Sequence, residues 1–449
     1  MRVVVIGGDA VGMVAASQIK RVLRDEASII VIEQQSWTSY SACAIPYWVG
    51  GATSTTDAPI ARTPEQHRAN GIDVRTGMLA TEIDPVRQVV IAQPVAGGPP
   101  QEFEYDHLVL GTGSRAKTPP IEGLETPGVH WVQTLDQGQA AIDALSAQPK
   151  RAVVLGAGYI GLEMAEASLC RSLDTTVLDQ AAEPMASLDS DMGAFLRTAM
   201  IERGVTLRTS EPARRIIAGP DGQVRAVATE SGEYPADIVF VGLGMDPRSE
   251  LAEAAGLPIG RYGGILTDPT QRVEGYDNIW SGGDCTEVVD RLTGERRYLP
   301  LGTHANKHGR VIGLNIVGRS AEFPGVIGTA ITKFQDLEIA RVGLQESEAL
   351  DAGRDVATVT ISATTKAGYM PGADPIRIKM LADRADGRVI GTQIIGGNGA
   401  GKRIDTAATV IWAGLTVADV VDMDLSYAPP FSPVWDPIQV AARALLPQL

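Results

Sequence analysis

Cys43, in the run Ser39-Tyr40-Ser41-Ala42-Cys43-Ala44-Ile45-Pro46-Tyr47-Trp48, is the side chain in this sequence best suited to redox chemistry. The 449 residues hold only three cysteines. The positions flanking Cys43 where a local partner would stand are Thr38 and Trp48, so no neighbouring thiol can close an internal disulfide with it. A lone redox thiol has two covalent options, a mixed disulfide with an outside thiol or a sulfenic acid. Either requires the thiolate, whose ordinary pKa of ~8.5 must fall for the anion to be populated at neutral pH. A helix N-terminus after Thr38 and the cofactor that delivers the electrons are the expected sources of positive potential.

The elements that must bring electrons to this thiol begin with two glycine turns. The strand Arg2-Val3-Val4-Val5-Ile6 runs into Gly7-Gly8-Asp9-Ala10-Val11-Gly12 and a helix, and the next strand, Ser28 to Ile32, ends at Glu33. This order predicts a dinucleotide site: tight glycine turn, helix N-terminus on the pyrophosphate, acidic residue on the ribose. Asp9 stands where the second glycine belongs, and its carboxylate is expected to point away from the phosphates. The second copy is cleaner, with Arg151 to Leu155, then Gly156-Ala157-Gly158-Tyr159-Ile160-Gly161, and a strand ending at Asp179. A carboxylate there accepts from a ribose 2′-OH and repels a 2′-phosphate. No Arg or Lys follows in Gln180, Ala181 and Ala182, so NADH is the expected hydride donor and NADPH the alternative.

Two further segments suit a flavin domain that closes around FAD. Tyr105 to Arg115 is a buried strand entering a turn at Thr112 and Gly113, and Asn278 to Cys285 is a strand with Asp284 after two glycines. The expected fold is α/β, with two Rossmann-like dinucleotide-binding domains, for FAD and NAD, and a C-terminal α+β domain. The FAD domain is expected over 1–118 and again over 245–323, with the NAD(P)H domain at 119–244 and the last domain at 324–449. In that last part, strands are predicted near 356–361, 376–381 and 389–395, and an amphipathic helix over 403–413.

Composition narrows the partners. A formal charge of −15 without a basic run argues against nucleic acid. Three cysteines argue for a reducing compartment. Met1 enters the first strand directly, and no apolar run approaches the ~20 residues of a membrane span. A cytoplasmic location, away from any membrane, is expected. The five histidines, His67, His107, His130, His304 and His308, lack metal-ligand spacing, so no metal is expected.

The run around Cys43 resembles the active-site segment of the single-cysteine FAD-dependent pyridine nucleotide-disulfide oxidoreductases, in their coenzyme A-disulfide reductase and NADH oxidase/peroxidase branch. The resemblance extends through Arg62-Thr63-Pro64-Glu65, Gly302 to Arg310, Gly368-Tyr369-Met370-Pro371-Gly372, Gly401-Lys402-Arg403-Ile404-Asp405 and Ser426-Tyr427-Ala428-Pro429-Pro430. Relatives of the glutathione reductase type carry a His with a Glu at the last of these. No histidine follows His308 here, so an imidazole acid from that segment is excluded.

The resemblance implies a homodimer whose C-terminal domain dimerises. It implies a Cys43 that cycles through a mixed disulfide with CoA, and Tyr427 and Tyr369 assisting proton transfer across the interface. Lys20, Arg21 and Arg24 on the first helix, with Arg62, are candidates for the CoA phosphates; the competing reading of each is a solvated surface charge. Cys170 and Cys285 are expected to be structural. Ala44, where the family keeps Gly, and Trp435 depart from the pattern and bear on the thiol pocket. Reduction of a small disulfide or persulfide of CoA is the leading reading. Reduction of O2 or H2O2 through a Cys43 sulfenic acid is the alternative, and a redox-sensing or electron-carrier flavoprotein the third.

Overall fold

The computed structural model describes residues 1–53 and 59–449. Arg2–Ile6, Ser28–Glu33, Asp73–Thr76, His107–Leu110 and Ile279–Ser281 form one parallel sheet, in the spatial order 279–281, 107–110, 2–6, 28–33, 73–76. Val3, Val4, Val5, Ile29, Val31, Leu108 and Val109 are all buried. Helices and loops cover both faces, which is why these strands are continuous apolar runs and do not alternate.

A second parallel sheet orders Thr206–Arg208, Asp174–Leu178, Arg151–Leu155, Ile238–Val241 and Val129–Trp131. In each sheet a glycine turn follows the carboxyl end of an interior strand, at Ile6 and at Leu155. That is where doubly wound sheets open a ligand crevice. The chain crosses between the two units on an antiparallel pair, Ser114–Ala116 against Met245–Pro247.

The C-terminal sheet is antiparallel, in the order Ala330–Phe334, Leu337–Gly343, Val389–Gly396, Pro375–Asp383, Val356–Thr364. Helices Ile404–Ala413 and Pro437–Leu445 cover it, burying Ile404, Ala407, Val410, Ile438, Ala442 and Leu445 with Ile378, Met380 and Ile394. The expected strands and helix are present here, the strands longer by one to three residues because ladder partners continue past the apolar runs.

Cys43 lies in the short 3-10 turn Ala42–Ala44, which leads into the helix Ile45–Gly50. That helix does not pack only on its own unit. Ile45, Trp48 and Val49 join the core of the second unit, with Leu135, Leu162 and Ala165. Each such side chain contributes about 1.5–3 kcal/mol on full burial. Arg171 adds a hydrogen bond from its Nε to the Val49 carbonyl at 2.9 Å. The helix that follows Cys43 is therefore docked on the second unit, which ties the thiol loop to it.

Candidate active site

The first glycine turn is shaped by close backbone approach. Gly7 has φ +105, and a Cβ there would fall on the Gly111 carbonyl; one on Gly12 would fall on the Gly7 carbonyl. Glu33 accepts from the backbone N–H of Gly8 at 2.8 Å and of Gln35 at 2.7 Å. Burial pushes the Glu33 carboxyl up. Thr112 donates its hydroxyl to the Arg248 carbonyl at 2.5 Å, and Arg248 N–H donates to the Gly113 carbonyl at 2.9 Å. The Thr112–Gly113 turn is thus tied to the returning half of the domain. Ser114 donates to Asp284 at 3.2 Å, and burial raises that carboxyl too.

Asp9 stands in the same cradle, where its carboxyl meets the charges of Glu33 and Asp284. Burial first, then the charge of Glu33, pushes it up to about 7. An acid held close to neutrality can sit in a cradle for an anionic cofactor where a full carboxylate could not.

The second turn fits a dinucleotide on the same grounds. A Cβ on Gly156 (φ +93) would lie 2.5 Å from the Gly242 carbonyl, and one on Gly161 would fall on the Gly156 carbonyl. Gly158 faces open space, with nothing within 4 Å, at the cap of the helix Tyr159–Cys170. That is the approach a pyrophosphate needs. Asp179 accepts from the N–H groups of Ala157 and Ala181, which fixes its carboxylate at the strand end.

The Cys43 thiol is exposed, and no disulfide forms among Cys43, Cys170 and Cys285. Cys285 is buried, whereas Cys170 is exposed at the end of its helix. Although exposed, the Cys43 thiol is pushed up rather than down: crowding by protein desolvates it, and Glu163 and then Asp284 add negative potential. The helix behind the thiol is only six residues long, and its N-terminus alone does not offset these carboxylates. Ala44 adopts an ordinary right-handed conformation at φ −86, so replacing the family's glycine strains nothing.

Glu163 was legible only as the start of a helix. Its carboxylate accepts from Thr332 Oγ1 at 2.9 Å and from Tyr47 Oη at 3.4 Å. Three elements meet there: the redox helix, the second unit's helix and the C-terminal sheet. Burial raises Glu163 to about 6.

On the other side of the cysteine loop, Lys20, Arg21, Arg24 and Arg62 line one cleft of about 410 Å³, with His67 and Asn70. Lys20 is half-buried and donates to the Arg24 carbonyl at 2.9 Å; the three arginines are exposed. The cleft is joined to the thiol loop twice. Thr38 Oγ1 donates to the Arg62 carbonyl at 3.3 Å, and Ser39 Oγ lies 3.0 Å from His67 Nε2. His67 was read only as a histidine without metal-ligand spacing; it is buried on the helix Pro64–Ala69, which the Thr63 capping box starts.

Tyr369 and Tyr427 interact with each other, far along the chain from Cys43, and are 75 % and 47 % exposed. Phe431, Val434 and Trp435 are exposed on neighbouring segments, Trp435 lying under the Arg443 guanidinium.

Comparison with known proteins agrees with this geometry. Residues 1–309 match the pyridine nucleotide-disulphide oxidoreductase family, and residues 329–437 match its dimerisation domain. The chain is 37% identical over 447 residues to the NAD(P)H coenzyme A polysulfide/persulfide reductase of Pyrococcus horikoshii, covering 99% of this chain and 98% of that one. It is 36% identical over 454 residues to an NADH oxidase of Methanocaldococcus jannaschii, covering 100% of this chain and 99% of that one. Among solved structures, the NAD-dependent persulfide reductase from A. fulgidus superposes with TM-score 0.96 at 40% identity, over 100% of this chain and 83% of that one. The chain belongs to the pyridine nucleotide-disulphide oxidoreductase family, oxidoreductases that use FAD and NAD(P)H.

Proposed function

We propose that this protein is an NAD(P)H-dependent reductase of CoA disulfide or CoA persulfide, working through Cys43. The observation that carries the reading is the cleft formed by Lys20, Arg21, Arg24 and Arg62, which is joined to the thiol loop through Thr38 and Ser39. A chain of charge −15 has little reason to gather four cations beside a redox thiol unless an anion is to be received there. The named substrates of the relatives, CoA persulfides and disulfides, carry such phosphates.

Gly156, Gly158 and Gly161 would seat the nicotinamide cofactor and Asp179 its ribose. Gly7, Gly8, Gly12, Glu33, Thr112, Gly113 and Asp284 would hold FAD, which supplies a two-electron relay when bound. The Cys43 thiolate attacks one sulfur of the CoA disulfide; a Cys43–CoA bond forms and the other CoA leaves as a thiolate. Tyr427, assisted by Tyr369, would give that thiolate a proton from across the dimer interface. Two-electron reduction then cleaves the mixed disulfide and restores the Cys43 thiolate. The sum is NADH, a proton and CoA disulfide giving NAD+ and two CoA thiols.

The divisions near 118, 244 and 323, the homodimer and a cytoplasmic location belong to the same proposal. The strand pair at 114–116 and 245–247 and the match to the dimerisation domain support the first two. For the third, no helix among the described residues is long and apolar enough to cross a membrane. Oxygen or peroxide reduction needs no anion cleft, which places that reading second.

Denaturing mass spectrometry of the unreduced protein tests the proposal. A CoA adduct on the Cys43 peptide supports it, and a bare or singly oxygenated cysteine moves the weight to the oxidase reading. A monomer in sedimentation that turns over normally would sink the cross-interface role of the tyrosines.

A further inference from the structure

The segments carrying Tyr369 and Tyr427 have no ladder of their own: each lies in irregular chain between regular elements. One side chain joins them. Arg403, only 12% exposed, donates from Nη2 to the Thr365 carbonyl at 2.7 Å and to the Phe431 carbonyl at 3.1 Å. Its Nε meets Asp436 Oδ2 at 2.9 Å, and its Nη1 meets the Gly399 carbonyl at 2.5 Å. Thr365 stands four residues before Tyr369 and Phe431 four residues after Tyr427. The guanidinium therefore bridges the two tyrosine loops at matching distances along the chain.

Asp436 is itself fixed, accepting from Ser432 Oγ at 3.2 Å and from the Ile438 N–H at 2.9 Å as it caps the helix Pro437–Leu445. Among the described residues, the only direct backbone bond between the loops is from Ala367 N–H to the Pro429 carbonyl, at 3.2 Å. Resting on the reading above that Tyr427 acts as proton donor, we infer that Arg403 is a positioning residue: its fork sets the spacing of the Tyr369 and Tyr427 loops and so the point at which the phenol is presented.

The shape of the group decides this. A guanidinium offers five donors in a fixed plane and can serve a carboxylate and two carbonyls together; an ammonium is a point charge and cannot span all three. Arg403→Lys keeps the charge beside Asp436 while giving up the bridge.

The test uses the FAD-loaded dimer with CoA disulfide as substrate, comparing Arg403→Lys, Tyr427→Phe and the double variant. The expected result for Arg403→Lys is a kcat at least tenfold lower, with KM for NADH unchanged and the dimer intact in sedimentation. The double variant is expected to be no slower than Tyr427→Phe alone, because both changes remove one function. Losses that multiply, a wild-type kcat in Arg403→Lys, or a monomeric Arg403→Lys each overturn the inference. Full activity in Tyr427→Phe instead overturns the tyrosine reading itself, and the inference falls with it.

Discussion

Ser39 Oγ lies 3.0 Å from Nε2 of His67, joining the loop that carries the redox thiol to the wall of the cationic cleft. Ser39 is also a non-glycine residue at φ +48, a conformation that persists only where the surroundings impose it. They do so here. Ser39 N–H donates to the Gly8 carbonyl at 3.2 Å, and its carbonyl accepts from Ala61 at 2.8 Å. The first glycine turn, the thiol loop and the cationic cleft are thereby one bonded assembly.

Cys43→Ser should lower CoA-disulfide turnover by at least 10³-fold while NADH still bleaches the bound flavin, since only the thiol step is removed. Stopped-flow absorbance separates the two steps. Residual disulfide turnover near wild type would mean that the cysteine is not the electron acceptor.

Glu163 sets an opposite pair of effects. Its carboxyl is raised from 4.5 to about 6, so its contribution to stability is fully present below pH 4.5 and is lost as pH rises through about 6. That shift corresponds to about 2 kcal/mol. Glu163→Gln should therefore raise the apoprotein's thermal midpoint at pH 8 and leave it little changed at pH 4.5. The same variant removes the largest charge effect raising Cys43, so the pH profile of thiol alkylation should move to lower pH. An unmoved alkylation profile would detach Glu163 from the thiol.

Burial holds His304 at about 4 and His308 at about 3, below the ordinary 6.5. The unfolded chain takes up these protons first, so stability is full above pH 6.5 and falls as pH drops toward 3. His308 Nδ1 accepts from Gly283 N–H at 2.9 Å, next to Asp284, so protonation there would loosen the flavin loop. Flavin fluorescence released on acidification should track this fall. Its absence down to pH 3 would contradict the assignment.

Reversing two cleft charges, Arg21→Glu with Arg62→Glu, should raise KM for CoA disulfide roughly 10- to 100-fold, at ~1 kcal/mol or slightly more per charge. KM for NADH should not move, and the wild-type value should rise with salt. Steady-state kinetics at two ionic strengths would decide it; equal effects on both substrates would place the CoA phosphates elsewhere.

Gly158→Ala and Gly156→Ala should fail differently. A methyl group at Gly158 meets nothing within 4 Å and φ is −79, so the protein should fold normally yet bind NADH ~10-fold or more weakly. At Gly156, with φ +93 and a carbonyl 2.5 Å from the new Cβ, stability itself should drop by about 1–3 kcal/mol. Calorimetry and NADH titration on both variants make the comparison.

Much of this protein was legible from residue order alone. The two glycine turns, Glu33, Asp179 and Asp284 are local patterns: a strand, a tight turn and a helix specify their geometry within some thirty residues. The lone status of Cys43 needed only counting. What the sequence could not supply depends on groups that meet from distant segments. Glu163, Tyr47 and Thr332 converge from three separate elements, and Arg248 reaches the flavin turn across more than 100 residues. The upward push that this chain's own groups exert on Cys43 was hidden for the same reason. Helix position is local, whereas burial and the field of remote carboxylates exist only after packing. Lys20, Arg21, Arg24 and Arg62 were nameable as charges one by one; only the docking of the segment after the thiol loop against the first helix makes them a single cleft.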